Sequence, residues 1–297
     1  MDLRDRQLVK RTWIPSLSVL GLWALCLALL SREYAIDSLL DVPGMIAVFV
    51  PLIAATFMTR GRVIADWPLI WLAAGVPLGL FASVAGFIFH LGLHGLSGDY
   101  AEIYPLVGWG LTTVLYGGIA SAIGYFCSEA RDRTTSPPIL SAIQATLLTL
   151  LLWALVLLMF FSNLSLVWNP IALAILVSCI GTACLLNPRN KLRSAAEATI
   201  FASLLLLVLG IIYFYFADGQ DIAPLMLANV GLAYGILAYL TLYFVSLGSG
   251  VAFISTSNAN WHWLELCAFL IFMLYAPETI REIQMGNSEG ANQMLGE

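Results

Sequence analysis

The stretch that decides the fold is residues 67–93, WPLIWLAAGVPLGLFASVAGFIFHLGL, which contains no charged side chain. A helix needs about 20 apolar residues to cross the hydrocarbon core of a bilayer, so this stretch can span it with some tilt. Eight further apolar stretches occupy 13–31, 43–59, 104–127, 139–161, 169–186, 197–216, 223–246 and 261–277. Glu265 lies inside the last stretch and Pro277 ends it, so the sequence predicts eight or nine transmembrane helices.

The composition places the 297-residue chain in the membrane class, because 60% of its residues are hydrophobic and only 10% are charged. Soluble domains carry about 25% charged residues. Continuous apolar runs argue against an outer-membrane barrel, whose strands alternate apolar and polar positions. A net charge of −5 without a basic run argues against nucleic-acid binding. We therefore expect an all-α polytopic membrane protein.

Basic residues predict the topology. Eleven of the 13 Lys and Arg residues lie in the N-terminal tail or in the turns that follow the second, fourth and sixth spans. All these positions fall on one side of the membrane if the spans alternate in direction, and such a side is normally cytoplasmic. We therefore expect a multi-pass protein of the inner (plasma) membrane, surrounded by lipid bilayer, with its N-terminus in the cytoplasm.

Two sequence signatures recur in the same order along the chain. Span 43–59 begins after Asp41-Val42-Pro43-Gly44 and span 169–186 begins with Asn169-Pro170, while the last span of each half contains Tyr116-Gly117 or Tyr234-Gly235. This pattern favours two parallel four-helix repeats plus a C-terminal helix, although Pro-led membrane helices can also look alike by chance. The predicted domains are a first four-helix unit at 1–130, a cytoplasmic linker at 131–138, a second, divergent unit at 139–246 and a C-terminal helix and tail at 247–297.

The first half resembles the MotA/TolQ/ExbB proton-channel family, and MotA/PomA-type stator subunits most closely. The motifs that carry the resemblance are Asp41–Gly44, the glycine-rich run Val76–Gly86, the turn Asp99–Pro105 and the helix Gly110–Gly117. The match covers roughly residues 15–130 and is weaker over 139–246. Members of the MotA group carry a large cytoplasmic domain between their second and third helices. This chain has only the short segment Arg60–Asp66 there, so the torque-transmitting part is missing.

The resemblance implies an ion-channel subunit that conducts protons or sodium only with a single-helix partner carrying an Asp, within an oligomer. It also implies an ion path along a face that meets the partner's helix and bears Ser83, Thr112, Thr113 and Tyr116. The second half has Val230-Gly231 at the Thr positions, with Asn229 nearby, so we expect it to be mainly structural. In the alternative interpretation, these hydroxyls bond backbone carbonyls one turn back and the chain is a non-conducting scaffold derived from the same fold. A small-molecule transporter is a third hypothesis.

Small residues predict which helix faces meet. Gly117, Ser121 and Gly124 recur at i, i+4 and i+7, so they share one face of span 104–127. Gly79 and Gly86 suggest the same role in span 67–93. Small side chains let helix backbones approach closely in a membrane. We therefore expect these five positions to pack helices together.

Few other side chains offer chemistry. Glu265 is the one carboxylate inside an apolar run, which makes it a candidate proton carrier, although beside Trp261 and Trp263 it can also be an interfacial acid. His90 and His94 are four residues apart, but nothing in the sequence completes a metal site around them. No catalytic set, nucleophile elbow or phosphate loop is recognisable, so we predict neither an enzyme nor a cofactor.

Overall fold

The structure is a computed structural model that describes residues 41–59, 67–94, 100–128, 140–188, 191–216 and 223–249. These residues form eight α-helices and contain no strand. The helices are α1 (Val42–Thr59), α2 (Trp67–His94), α3 (Tyr100–Ser128), α4 (Ala142–Phe160), α5 (Leu164–Val167), α6 (Pro170–Leu186), α7 (Lys191–Phe216) and α8 (Ala223–Ser249). The predicted all-α class is confirmed for this part of the chain.

Six of these helices, namely α1, α2, α3, α4, α7 and α8, are long and apolar enough to cross a membrane. Each lies on one of the predicted spans, as expected for a multi-pass membrane protein. Helix α6 has 17 residues. At 1.5 Å per residue it is about 25 Å long, somewhat short of the roughly 30 Å hydrocarbon core. The predicted spans 13–31 and 261–277, the linker 131–138 and Glu265 lie outside the described residues.

Side-chain caps set where α4 and α6 begin. The N–H of Gln144 donates to Ser141 Oγ at 3.3 Å, and the N–H of Ser141 donates to Gln144 Oε1 at 2.9 Å. Asn169 Oδ1 accepts the N–H groups of Ile171 and Ala172 at 3.1 and 3.0 Å. The first turn of a helix has N–H groups without a partner in the helix, and these caps supply acceptors for them. Helix α4 therefore begins slightly later than the predicted 139.

Helix α7 begins at Lys191, earlier than the predicted 197. Its first turns carry the ion pair Arg193–Glu197, with 2.9 Å between Nε and Oε1. Residues four apart are neighbours on a helix surface, and an exposed pair of this kind adds about 0.3–0.5 kcal/mol. The apolar segment alone marks the membrane-embedded part of α7, whereas the charged turns extend the helix beyond it.

The described residues belong to two compact units, and each draws on separate parts of the chain. The first contains α1, the part of α2 up to Ser83, the part of α3 from Thr112, α4 up to Met159 and the end of α8 from Leu240. The remaining described residues form the second unit. Helices α2 and α8 supply most of the interior, since 78% and 72% of their apolar windows are buried, against 22% for α4.

In the first unit the start of α4 holds the ends of two other helices. Gln144 Nε2 donates to the carbonyl of Met58 at 2.9 Å, and the N–H of Leu140 donates to the carbonyl of Leu247 at 3.1 Å. The last carbonyls of a helix lack partners within it, so both bonds satisfy atoms that would otherwise need water. In the second unit, the rings of Phe89 and Phe160 stack with centroids 5.4 Å apart.

Candidate functional site

The start of α1 contacts α3 through Tyr116. The N–H of Asp41 donates to Tyr116 Oη at 3.1 Å, and the Tyr116 ring lies 6.2 Å from that of Phe49. Gly44 is buried at this contact. A Cβ added there would overlap Thr113 Cγ2 and the Asp41 carboxylate, so the contact requires glycine. Helix α3 thus places Thr113 and Tyr116 against the first turn of α1.

Helices α2 and α3 pack through glycines. A Cβ added at Gly117 would lie 2.5 Å from the carbonyl oxygen of Gly75 and 3.0 Å from Gly79 Cα. At Gly124 it would lie 2.5 Å from the carbonyl oxygen of Pro68. Distances this short do not occur for real Cβ atoms, so only glycine lets the two backbones approach this closely. Gly86 differs, because a Cβ there meets no atom within 4 Å, and the packing predicted for it is not seen among the described residues.

Ser121 hydrogen-bonds the backbone of α2 next to Pro77, which lies inside that helix. The N–H of Val76, whose acceptor in a regular helix is the carbonyl of Leu72, donates to Ser121 Oγ at 3.0 Å. The same hydroxyl lies within donating distance of the carbonyls of Leu72 (3.2 Å) and Trp71 (3.4 Å). Proline distorts a helix, and an inserted hydroxyl can satisfy the groups that the distortion frees. Ser121 therefore supports the backbone of α2.

The three predicted path hydroxyls lie inside the chain. Ser83, Thr112 and Thr113 are 2%, 5% and 4% exposed. Neighbouring parts of this chain cover these side chains, and the contact of this face with a partner's helix stays a prediction. Tyr116, the fourth predicted path residue, is 9% exposed and holds the α1 contact.

Ser83 is distinguished by its hydroxyl, which has no hydrogen-bond partner among the described residues. Other buried hydroxyls donate to a carbonyl of their own helix at 2.6 to 2.7 Å, as Thr199, Ser203 and Ser246 do. Ser246 is also 2% exposed. A buried polar group without a partner is costly, and membrane helices normally avoid it in this local way.

The start of α6 contacts α8 through Tyr234. The N–H of Asn169 donates to Tyr234 Oη at 3.3 Å, and that hydroxyl donates to the carbonyl of Val167. Asp41 and Tyr116 make the corresponding contact between α1 and α3. Both contacts join residues that the sequence singled out as recurring signatures.

The glycine after each tyrosine also packs in the same way. A Cβ added at Gly235 would lie 2.8 Å from the carbonyl oxygen of Thr199 and would overlap Ser203 Cβ. These two residues of α7 are four apart, like Gly75 and Gly79, which Gly117 contacts on α2. Sequence reasoning missed Thr199 and Ser203, although a polar residue inside a predicted span is the signal that could have found them.

The chemistry available at these contacts is that of neutral oxygens. The buried polar side chains of the described residues are hydroxyls and one amide, and none is a carboxylate, an imidazole, an amine or a guanidinium. Within the same residues, no group of three or more His, Cys, Asp or Glu side chains could hold a metal ion. Hydroxyl and amide oxygens can replace water around a cation, but alone they do not supply a titratable proton carrier.

Comparisons with protein-family models, curated proteins and solved structures each found no match.

Proposed function

We propose that this chain is a membrane-embedded subunit of a cation-conducting complex that carries protons or sodium ions together with a single-helix partner bearing an Asp. The observation that carries the proposal is the Ser83 hydroxyl, which is 2% exposed, lies in a membrane-spanning helix and has no hydrogen-bond partner. Leaving such a group unpaired costs about 1–3 kcal/mol. A passing cation or its hydration water would supply the missing interaction.

The buried oxygens are neutral, which agrees with a complex in which this chain supplies oxygen ligands and the partner supplies the titratable group. Hydrocarbon raises the energy of a charge by several kcal/mol, and oxygen ligands lower it. Thr112 and Thr113 add two buried hydroxyl-bearing side chains on α3. Because no buried side chain of the described residues is a carboxylate, an imidazole or an amine, the proton-carrying group would come from the partner's Asp.

We also propose that the chain is a tandem duplication with eight or nine membrane helices and a cytoplasmic N-terminus. The support is the repeated contact of a tyrosine with the start of a short helix, followed by a glycine against a pair of residues four apart. Two independent contacts in the same order are hard to obtain from unrelated helix pairs. The resemblance to the MotA/TolQ/ExbB family provides the link from this architecture to conduction.

Ion flux from liposomes tests the function. The complex, purified from its native membrane, is reconstituted and exposed to a proton or a sodium gradient. Ser83→Ala deletes the hydroxyl without a partner, whereas the control Ser246→Ala deletes one of equal burial that donates to Tyr243.

We expect Ser83→Ala to lower flux at least about tenfold, because hydrogen bonds to charged groups contribute about 1.5–3 kcal/mol. The Ser246→Ala complex should conduct like the native complex. Absence of flux from the native complex, or equal flux from Ser83→Ala, would contradict the proposal.

A non-conducting membrane scaffold is the second candidate function. The specific observation in its favour is that the glycines and Ser121 of α2 and α3 serve helix packing and backbone support. In that case the native complex assembles and carries no ion current, and Ser83→Ala changes neither assembly nor flux.

A further inference from the structure

In the part of the chain that the structure describes, Asn229 of α8 is a second buried polar side chain whose hydrogen bonding is incomplete. It is 0% exposed, and its Nδ2 donates to the carbonyl of Leu225 at 2.9 Å. That carbonyl can accept but cannot donate, so it fixes which end of the amide faces it. The atom without a partner is therefore Oδ1, an oxygen that can only accept.

The helix face that carries Asn229 offers this oxygen nothing polar. Residues three, four or seven positions away share a helix face. Among the described residues these are apolar, namely Leu225, Met226, Leu232, Ala233 and Ile236. The contacts of α8 with α7 lie on an adjacent face, through residues such as Gly231 and Gly235.

Incomplete hydrogen bonding is not general in this unit. Thr199 and Ser203 are equally buried, and both donate to carbonyls of α7 at 2.7 Å. A fully buried amide on an apolar helix face is also costly to keep, because a leucine of similar size would avoid the unpaired oxygen. These two facts point to a role for Asn229 beyond packing.

We propose that Asn229 Oδ1 is a cation-binding position of the second compact unit. Its ligand would be a sodium ion or a hydronium ion, because an oxygen that only accepts stabilises positive charge and cannot donate to an anion. The inference rests on the proposed function and specifies cations as the conducted class. It also gives the second half a part in conduction, whereas Val230-Gly231 alone predicted a mainly structural role.

Three variants separate conduction from folding. Asn229→Leu keeps the size of the side chain and removes the oxygen from an apolar face, so it should leave stability unchanged or raise it. Asn229→Asp keeps an acceptor oxygen in either protonation state. Ser203→Ala is the matched control, since it deletes an equally buried hydroxyl that already has an acceptor.

The experiment measures proton, sodium and chloride flux and thermal unfolding of the same reconstituted complexes. We expect Asn229→Leu to lower cation flux at least about tenfold, by loss of one hydrogen bond to a charged ligand, at an unchanged or higher unfolding temperature. Asn229→Asp should conduct more cations than Asn229→Leu, and Ser203→Ala should behave like the native complex.

The possible failures are distinguishable. Native cation flux that Asn229→Leu leaves unchanged would overturn this inference alone, and so would a flux loss that accompanies a lower unfolding temperature. Chloride flux that depends on Asn229 would overturn the assignment of cations. A native complex without any cation flux would overturn the proposed function, and this inference with it.

Discussion

Helices α1 and α6 begin directly after residues of nearly the same shape, Asp41 and Asn169. Each of these two residues donates its backbone N–H to a tyrosine. Their caps differ. Asn169 Oδ1 accepts the N–H groups two and three residues ahead, but the residue two ahead of Asp41 is Pro43, which has no N–H. The tyrosine contact is thus common to the two pairs of helices, whereas the surrounding polar groups differ.

The neighbouring helix contacts differ in a second way. Helix α2 contains Pro77, packs on α3 with glycines and needs Ser121 to satisfy an N–H group of its backbone. Helix α7 contains no proline and faces Gly235 with Thr199 and Ser203, whose hydroxyls bond α7 itself. Irregular backbone is tolerated at membrane depth only where the protein satisfies it again. Helix α2 therefore depends on α3 for its backbone hydrogen bonding more than α7 depends on α8.

The largest expected effect tests what the two halves share. Gly117→Ala and Gly235→Ala should each lower the free energy of unfolding by about 3 kcal/mol, because the new Cβ would press on the backbone of the facing helix. The control Gly118→Ala places its Cβ in open space. Thermal unfolding in detergent measures all three. If only one of the first two variants is destabilised, the packing of the two halves is not equivalent.

A smaller loss of stability should distinguish the α2–α3 contact from the α7–α8 contact. Ser121→Ala leaves the N–H of Val76 without its acceptor, which should cost about 2 kcal/mol. Ser203→Ala deletes a hydroxyl that donates to the carbonyl of Ile200 on its own helix, so a smaller loss of about 0.5 kcal/mol is expected. Unfolding by heat or denaturant compares the two variants. Equal losses would show that α2 needs no more support than α7.

The smallest expected effect concerns the tyrosines. Tyr116→Phe removes the acceptor of one backbone N–H and should cost about 1 kcal/mol. Tyr234→Phe removes the acceptor of the Asn169 N–H and the bond to the carbonyl of Val167, and it should cost a similar amount, about 1 kcal/mol. Hydrogen exchange at Asp41 and Asn169 should speed up only in the matching variant. Unchanged hydrogen exchange at both positions would contradict the claim that the tyrosine hydroxyls accept these two N–H groups.

The sequence predicted those features that depend on local spacing. Run length located the described spans, because an apolar stretch of sufficient length is itself the condition for crossing a bilayer. The i, i+4, i+7 spacing placed Gly117, Ser121 and Gly124 on one face, since helix geometry alone sets that relation. The same geometry places these three residues of α3 where they pack against α2, with Gly117 facing Gly75 and Gly79.

Features that depend on which atoms meet could not be predicted from the sequence. Gly86 lies seven residues after Gly79 and is predicted to share its face, yet none of the described residues packs against it. The crossing of two helices decides where their contact ends. Ser83 and Ser246 look alike in the sequence, but only Ser246 reaches a carbonyl. That difference arises from side-chain and backbone geometry, so neither composition nor periodicity contains it.

The central claim is that cations reach Ser83. Silver, a thiol-reactive monovalent cation, tests it directly on Ser83→Cys and, as a matched control, on the equally buried Ser246→Cys. Because the chain has five native cysteines, the unmodified complex supplies the background. We predict that silver blocks cation flux through Ser83→Cys within seconds and leaves the Ser246→Cys and native complexes conducting. Flux through Ser83→Cys that silver blocks no faster than flux through the other two complexes would contradict the claim.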